Sequence, residues 1–176
     1  MKSNKITPGI LLLTGMVLAA AFVRFIPHPP NFAPIAAMAL FGGAYFTKKW
    51  VAFLVPLAAM FITDLFLGFH ATMWAVYLSF VLIVVLGMFM IKQKKIGNIF
   101  FASVSASVLF FVITNFGLWI STPYYAKTGA GLAACYTAAI PFFHHTLLGD
   151  LFFVGIMFGL YELVKAKFPS LVQLNT

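Results

Sequence analysis

Residues 91–96 read Ile91-Lys92-Gln93-Lys94-Lys95-Ile96, a cationic knot between two long apolar runs, residues 74–91 and 97–120. A lysine at the centre of a hydrocarbon layer costs about 2.5–3.5 kcal/mol on the lenient insertion scale, so such a knot marks the place where an apolar helix leaves the membrane. Working outward, lysines recur at every second break between apolar runs: Lys2 and Lys5, Lys48 and Lys49, then Lys165 and Lys167. With the knot itself these make nine of the eleven basic residues, leaving Arg24 and Lys127 for the intervening breaks. That asymmetry is the positive-inside pattern and predicts an all-α, polytopic membrane protein of six transmembrane helices with both termini cytoplasmic.

Composition agrees. Hydrophobic residues make up 63% of the chain, charged residues 8%, and the mean hydropathy is +1.05, against about 25% charged residues in soluble domains. The net charge of +8 does not point to nucleic acid, because the basic residues sit at run ends and not along one face. A single cysteine, Cys135, excludes an internal disulfide and any multi-cysteine metal cage. Six spans of about 20 residues each occupy most of residues 1–176, which reads as one integral membrane domain in the inner (plasma) membrane, in contact with the lipid bilayer. Lys2 and Lys5 followed by an apolar run and Ala19-Ala20-Ala21 resemble a signal peptide, but the run continues through Phe22, Val23, Phe25 and Ile26, so it is read as the first span.

The expected spans are residues 9–26, 34–47, 50–69, 74–91, 97–120 and 142–164. The first is stopped by Pro27, Pro29 and Pro30. The second rises only about 21 Å, so it is either a tilted span or a half-helix entered through a broken segment near residues 31–34. Residues 121–141 form the longest outward connection, with Gly129 and Gly131 for tight turns and a short lid helix over residues 132–140.

Axial rise from the cytoplasmic helix ends places Arg24 at about 22 Å, Asp64 at about 21 Å and Asn115 at about 27 Å, while Asp150 lies about 12 Å below the outer mouth and Tyr77 somewhat shallower. The ionisable groups thus share the outer half, and the cost of a lone charge in hydrocarbon predicts that they face one another or a wet cavity. A purely structural pairing of Arg24 with Asp64 or Asp150 is the alternative. Asn115 and Trp119 share a helix face, as do Thr146 and Asp150; an amide beside an aromatic plane suits a planar ligand, though Trp119 also fits the interfacial aromatic belt. His28, Asn31, Tyr124, Tyr125 and His144 fall in outer loops or helix ends and are expected to close over a solute.

His144, His145 and Cys135 are the nearest approach to a metal set, but adjacent histidines on a helix point about 100° apart. No H-E-x-x-H, G-x-S-x-G or P-loop string occurs, so no enzyme activity is expected, and any cofactor is unknown from the sequence. A membrane metal- or cofactor-binding enzyme subunit built on those three residues, or a structural subunit, is the alternative reading. Small residues at four-residue spacing, Gly15/Ala19, Ala33/Ala37 and Ala39/Gly43, permit close helix approach.

Six helices in fewer than 200 residues with an outward polar pocket resemble the substrate-binding S component of energy-coupling-factor transporters. The strings Arg24…Pro27-His28-Pro29-Pro30-Asn31-Phe32-Ala33-Pro34-Ile35, Leu40-Phe41-Gly42-Gly43-Ala44-Tyr45-Phe46, Asp64-Leu65-Phe66-Leu67-Gly68, Thr114-Asn115-Phe116-Gly117-Leu118-Trp119 and Ile140-Pro141-Phe142-Phe143 also resemble a family of uncharacterised bacterial membrane proteins. The first resemblance implies capture of a vitamin-like or metal/cofactor solute, and a transmembrane coupling subunit with ATPases as partner, docked on the Ala33/Ala37 face. No vitamin-specific string and no N-terminal histidine of the nickel or cobalt type is present. The expectation is a polar solute site walled by Arg24, Asp64, Asn115 and Asp150, with Tyr77 nearby, Trp119 stacking, and His28, Asn31, Tyr124 and His144 above.

Overall fold

A computed structural model describes residues 7–172; Lys2 and Lys5 lie outside the described residues. Six helices follow in order: α1 (Pro8–Phe22), continued by a 3-10 turn (Val23–Phe25), α2 (Ile35–Tyr45), α3 (Lys49–Leu67), α4 (Met73–Met90), α5 (Ile96–Ser121) and α6 (Gly129–Lys167), then a closing 3-10 turn (Pro169–Val172). Among the described residues there is no strand. Five helices are long and apolar enough to cross a membrane; α2 is not.

The boundaries follow local chemistry. Thr7 caps α1 by accepting from the Ile10 amide at 3.4 Å, with Pro8 in the first helical position, where its missing N–H is no loss. Gly68 ends α3 at φ 93°, a conformation costly for a residue with a Cβ. Pro56 and Pro141 sit inside α3 and α6, each removing one backbone hydrogen bond. In a packed membrane bundle neighbouring groups can take up such freed carbonyls.

At 11 residues, α2 rises about 16 Å, roughly half a hydrocarbon core. It nonetheless touches all five other helices, and residues 36–43 are buried without a break. A helix apolar all round belongs in the centre of a bundle, and small side chains let its neighbours close on it. A Cβ added to Gly42 would lie 2.6 Å from Pro56 Cγ, one added to Gly43 would collide with the Val84 carbonyl, and one on Gly87 would lie 2.7 Å from the Leu40 carbonyl oxygen. The α2–α4 crossing is therefore backbone against backbone. Ala37 is fully buried and Ala33 half-buried, so the spacing expected to dock a coupling subunit closes instead on the protein's own helices.

The chain reaches α2 through residues 26–34, which turn where the Phe32 amide donates to the Pro29 carbonyl at 3.0 Å. Asn31 has φ 64°, and Phe32 is seated on α6, its Cα 3.1 Å from where a Gly149 Cβ would be and its ring 5.7 and 5.4 Å from Phe152 and Phe153. At the lysine-rich end Phe41, Tyr45, Phe158 and Tyr161 pack ring to ring, the Tyr45 hydroxyl donates to Glu162 at 2.9 Å, and Lys94 lies 5.5 Å over the Tyr45 ring. That end is closed.

One expectation needs correction. Residues 129–141 are neither loop nor separate lid helix: they are the first turns of α6, which runs 39 residues unbroken. Thr128 caps it, accepting from Gly131 N at 3.2 Å, and Gly131 is needed because a Cβ there would strike the Ala126 carbonyl. The two glycines thus serve a helix start.

The α2–α4 crossing predicts that Gly87→Ala lowers stability by about 1–3 kcal/mol through overpacking. Gly155→Ala, with open space around it, should be neutral or mildly stabilising. Thermal unfolding of both variants in the same detergent checks this, and equal behaviour would refute the close approach.

Candidate functional site

Arg24 emerges from the 3-10 turn after α1 and reaches the far end of α3. Its Nη2 donates to Asp64 Oδ1 at 2.6 Å, and Nη1 donates to Thr63 Oγ1 and to the Met60 carbonyl. The second Asp64 oxygen accepts from the Tyr77 hydroxyl on α4 at 2.8 Å. Asp64 is thereby used on both oxygens, and α1, α3 and α4 are clamped together. The side chains of Arg24 and Asp64 are only 12% and 8% exposed, so each charge depends on the other. Two of the five guanidinium N–H donors remain unused by these contacts.

Beside the clamp lies a cavity of about 520 Å³, lined by Arg24, by Asn31 and Ile35 of the segment entering α2, by His70 and Thr72 before α4, by Thr114 and Asn115 of α5, by Tyr125, and by Cys135 and Thr146 of α6. That volume is in the range of small-molecule pockets. The space arises because α6 bows away from α5. Ser107 meets Asp150 at 2.6 Å and the Asn115 carbonyl meets Cys135 Sγ at 3.5 Å. Between those two contacts α5 rises about 12 Å while α6 rises about 22 Å. The surplus length leaves the gap, and Pro141 sits within it.

A second, smaller cavity of about 50 Å³ adjoins the first, sharing Asn31, Ile35, Phe110 and Thr146 and adding Asp150. Asp150 is 3% exposed, and its Oδ2 accepts from the Ser107 hydroxyl.

Among the expected site residues, Arg24, Asn31 and Asn115 line the large cavity and Asp150 the small one. Asp64 and Tyr77 stand behind Arg24 and do not line it, because the clamp occupies them. His28 is exposed and contacts the Pro29 carbonyl at 3.0 Å. Tyr124 is exposed, and so is His144. Trp119 lies one helical turn beyond Asn115, past the rim. Its Nε1 donates to the Ala126 carbonyl at 2.9 Å, and Lys127 sits 5.6 Å over its ring while donating to the Trp119 and Thr122 carbonyls. Trp119 therefore fastens the α5–α6 turn and is not placed to stack on a solute. His144, His145 and Cys135 do not converge: Cys135 and His144 are about 13 Å apart along the axis of one helix, and no trio of His, Cys, Asp or Glu among the described residues is grouped to hold a metal ion.

Sequence reasoning missed Thr63, Ser107, Thr72 and Thr114; His70, an outer-loop polar residue by its position, was given no role. Ser107 had a faint signal in the four-residue spacing with Ser103, which put two hydroxyls on one face of α5; Thr72 had none.

The chain belongs to the family of unknown function DUF6580, which it matches over residues 4–171. No curated protein and no solved structure matches it.

The clamp predicts that Asp64→Ala, which strands the Arg24 charge, lowers stability by about 3–5 kcal/mol, whereas Tyr77→Phe costs about 1 kcal/mol. Denaturant titration of the purified variants measures both. An Asp64→Ala protein as stable as the parent would remove the pair from the account.

Proposed function

We propose that the protein is the membrane-embedded solute-binding component of an uptake transporter, taking a small polar solute into the 520 Å³ cavity from outside the cell. The observation that carries this reading is the cavity itself, part polar and situated among Arg24, Asn31 and Asn115 at the end of the bundle opposite the lysine clusters, while the lysine-rich end is packed by Phe41, Tyr45, Phe158 and Tyr161. With the lysines cytoplasmic, the open end faces outward and the membrane is the plasma membrane.

Roles follow from the chemistry of the lining. The two free Arg24 donors would hold an acidic or carbonyl group of the solute. The Asn115 side-chain nitrogen already donates to the Phe111 carbonyl at 2.8 Å, which leaves its carbonyl oxygen for a donor on the solute. Phe110 and Phe111 supply apolar wall, the mixture typical of sites that orient a partly planar molecule. Trp119 is left out of this scheme.

Transport energy would come from a partner, since the chain carries no phosphate-binding loop. A transmembrane coupling subunit with ATPases is the partner class in view, and it would have to meet a face other than that of Ala37.

Gentle purification followed by native mass spectrometry tests the reading. A small polar molecule should accompany the wild-type protein and be lost or weakened at least about tenfold when Asn115→Leu removes one hydrogen-bonding group, a change worth about 1.4 kcal/mol or more. A wild-type protein that takes up no solute from a panel of polar metabolites, with its fold intact, would count against solute capture.

A further inference from the structure

The small cavity beneath the solute site holds a carboxylate whose environment is incomplete. Asp150 is 97% buried by its 3% exposure, well inside α6, and Oδ2 takes the Ser107 hydroxyl at 2.6 Å. Among the described residues the Ser107 contact is the one hydrogen bond the carboxylate makes, so Oδ1 takes none, and Asp150 lines the cavity of about 50 Å³. No Lys, Arg or His of the described residues lies within ion-pair distance of it: Arg24 is engaged by Asp64, and Lys165 pairs with Glu162 at the lysine-rich end. The remaining wall offers the Thr146 hydroxyl, Asn31 and the first turn of α2, where no side chain caps the helix. That helix end contributes at most about half a unit of positive charge. An ionised carboxylate there is left short of compensation.

We propose that this pocket is a binding site for one small monovalent cation, seated on Asp150 Oδ1 with the oxygens of Thr146 and Asn31 around it. The volume, enough for a few waters, admits a small ion or one ammonium group. Hard alkali ions take oxygen ligands of this kind, and an alkylammonium accepts the same arrangement through its N–H donors. The cation therefore comes either as a free alkali ion bound beneath the solute or as the ammonium head of the solute itself. The second source rests on the solute-capture reading; the first does not.

The test uses purified full-length protein with no added solute. Thermal unfolding is followed at constant ionic strength as choline chloride is replaced by sodium, potassium or methylammonium chloride. Binding to the native state stabilises it by RT ln(1 + c/Kd) at free cation concentration c, which raises Tm as c passes Kd. At least one of the three small cations should raise Tm above choline, whose quaternary nitrogen has no N–H donor and is shielded by methyl groups from close approach to a carboxylate oxygen. Asp150→Asn should weaken that cation's apparent affinity at least about tenfold, as loss of one partner of a buried charge contact does. Should Asp150→Asn not fold, Thr146→Val supplies the comparison, and its response should also be weakened. Stabilisation by an alkali ion assigns a coupling ion, and stabilisation by methylammonium alone assigns the amine end of the solute. If no small cation exceeds choline, as for a neutral carboxylic acid, or if the variants respond as the wild type does, the proposal is overturned. Either outcome leaves solute capture in the larger cavity to be judged by its own ligand experiment.

Discussion

A guanidinium inside a bundle of apolar helices must be answered by a carboxylate, and the Arg24–Asp64 contact at 2.6 Å is where this protein meets that constraint. The pair need not raise net stability, because two charges have been taken out of water to make it. Its effect is positional. It fixes the end of α1 to the end of α3, and through Tyr77 it draws in α4, so Arg24 is held at the edge of the large cavity by contacts that lie outside it. Arg24 then stands at the cavity with donors to spare while Asp64 is withdrawn behind it. One residue of the pair supports the other's exposure to the cavity.

The second organising feature is the half-length α2. A helix of 11 residues cannot cross hydrocarbon alone, and the polar backbone that leads into it must be covered by protein. The segment from Pro27 to Pro34 is covered in part by Gly149, Phe152 and Phe153 of α6, on which Phe32 sits. That seat brings Asn31 and Ile35 beside Thr146 and Asp150. The same arrangement that completes the crossing therefore builds the floor of the site.

Much of this was legible in the sequence, for identifiable reasons. Lysine clusters and prolines bound the spans because both act locally. The shared height of Arg24 and Asp64 followed from helical rise alone. What was not legible depended on contacts between distant segments. Ala33/Ala37 looked like an external face because small residues serve an internal crossing equally well, and the burial of Ala37, with Gly43 against Val84 and Gly87 against Leu40, shows the internal one. Gly129, Gly131 and Pro141 looked like loop residues because each breaks a helix by propensity; here Thr128 starts a helix at the glycines and α6 passes through the proline. Asp150 was expected to share a chamber with Asp64, but its partner is Ser107, one of several serines along α5, marked only faintly by its four-residue spacing from Ser103.

The central proposal is that a chamber among Arg24, Asn31 and Asn115 opens to the side of the membrane away from the lysine clusters. Cysteine accessibility tests it most directly, since Cys135 is the one native thiol and is readily replaced by alanine. In that background, Thr114→Cys in the cavity wall should react with a small membrane-impermeant thiol reagent added outside intact cells, Gln93→Cys should react only after permeabilisation, and the fully buried Ser79→Cys should not react. Labelling of Thr114→Cys only after permeabilisation, with Gln93→Cys reactive from outside, would contradict the account.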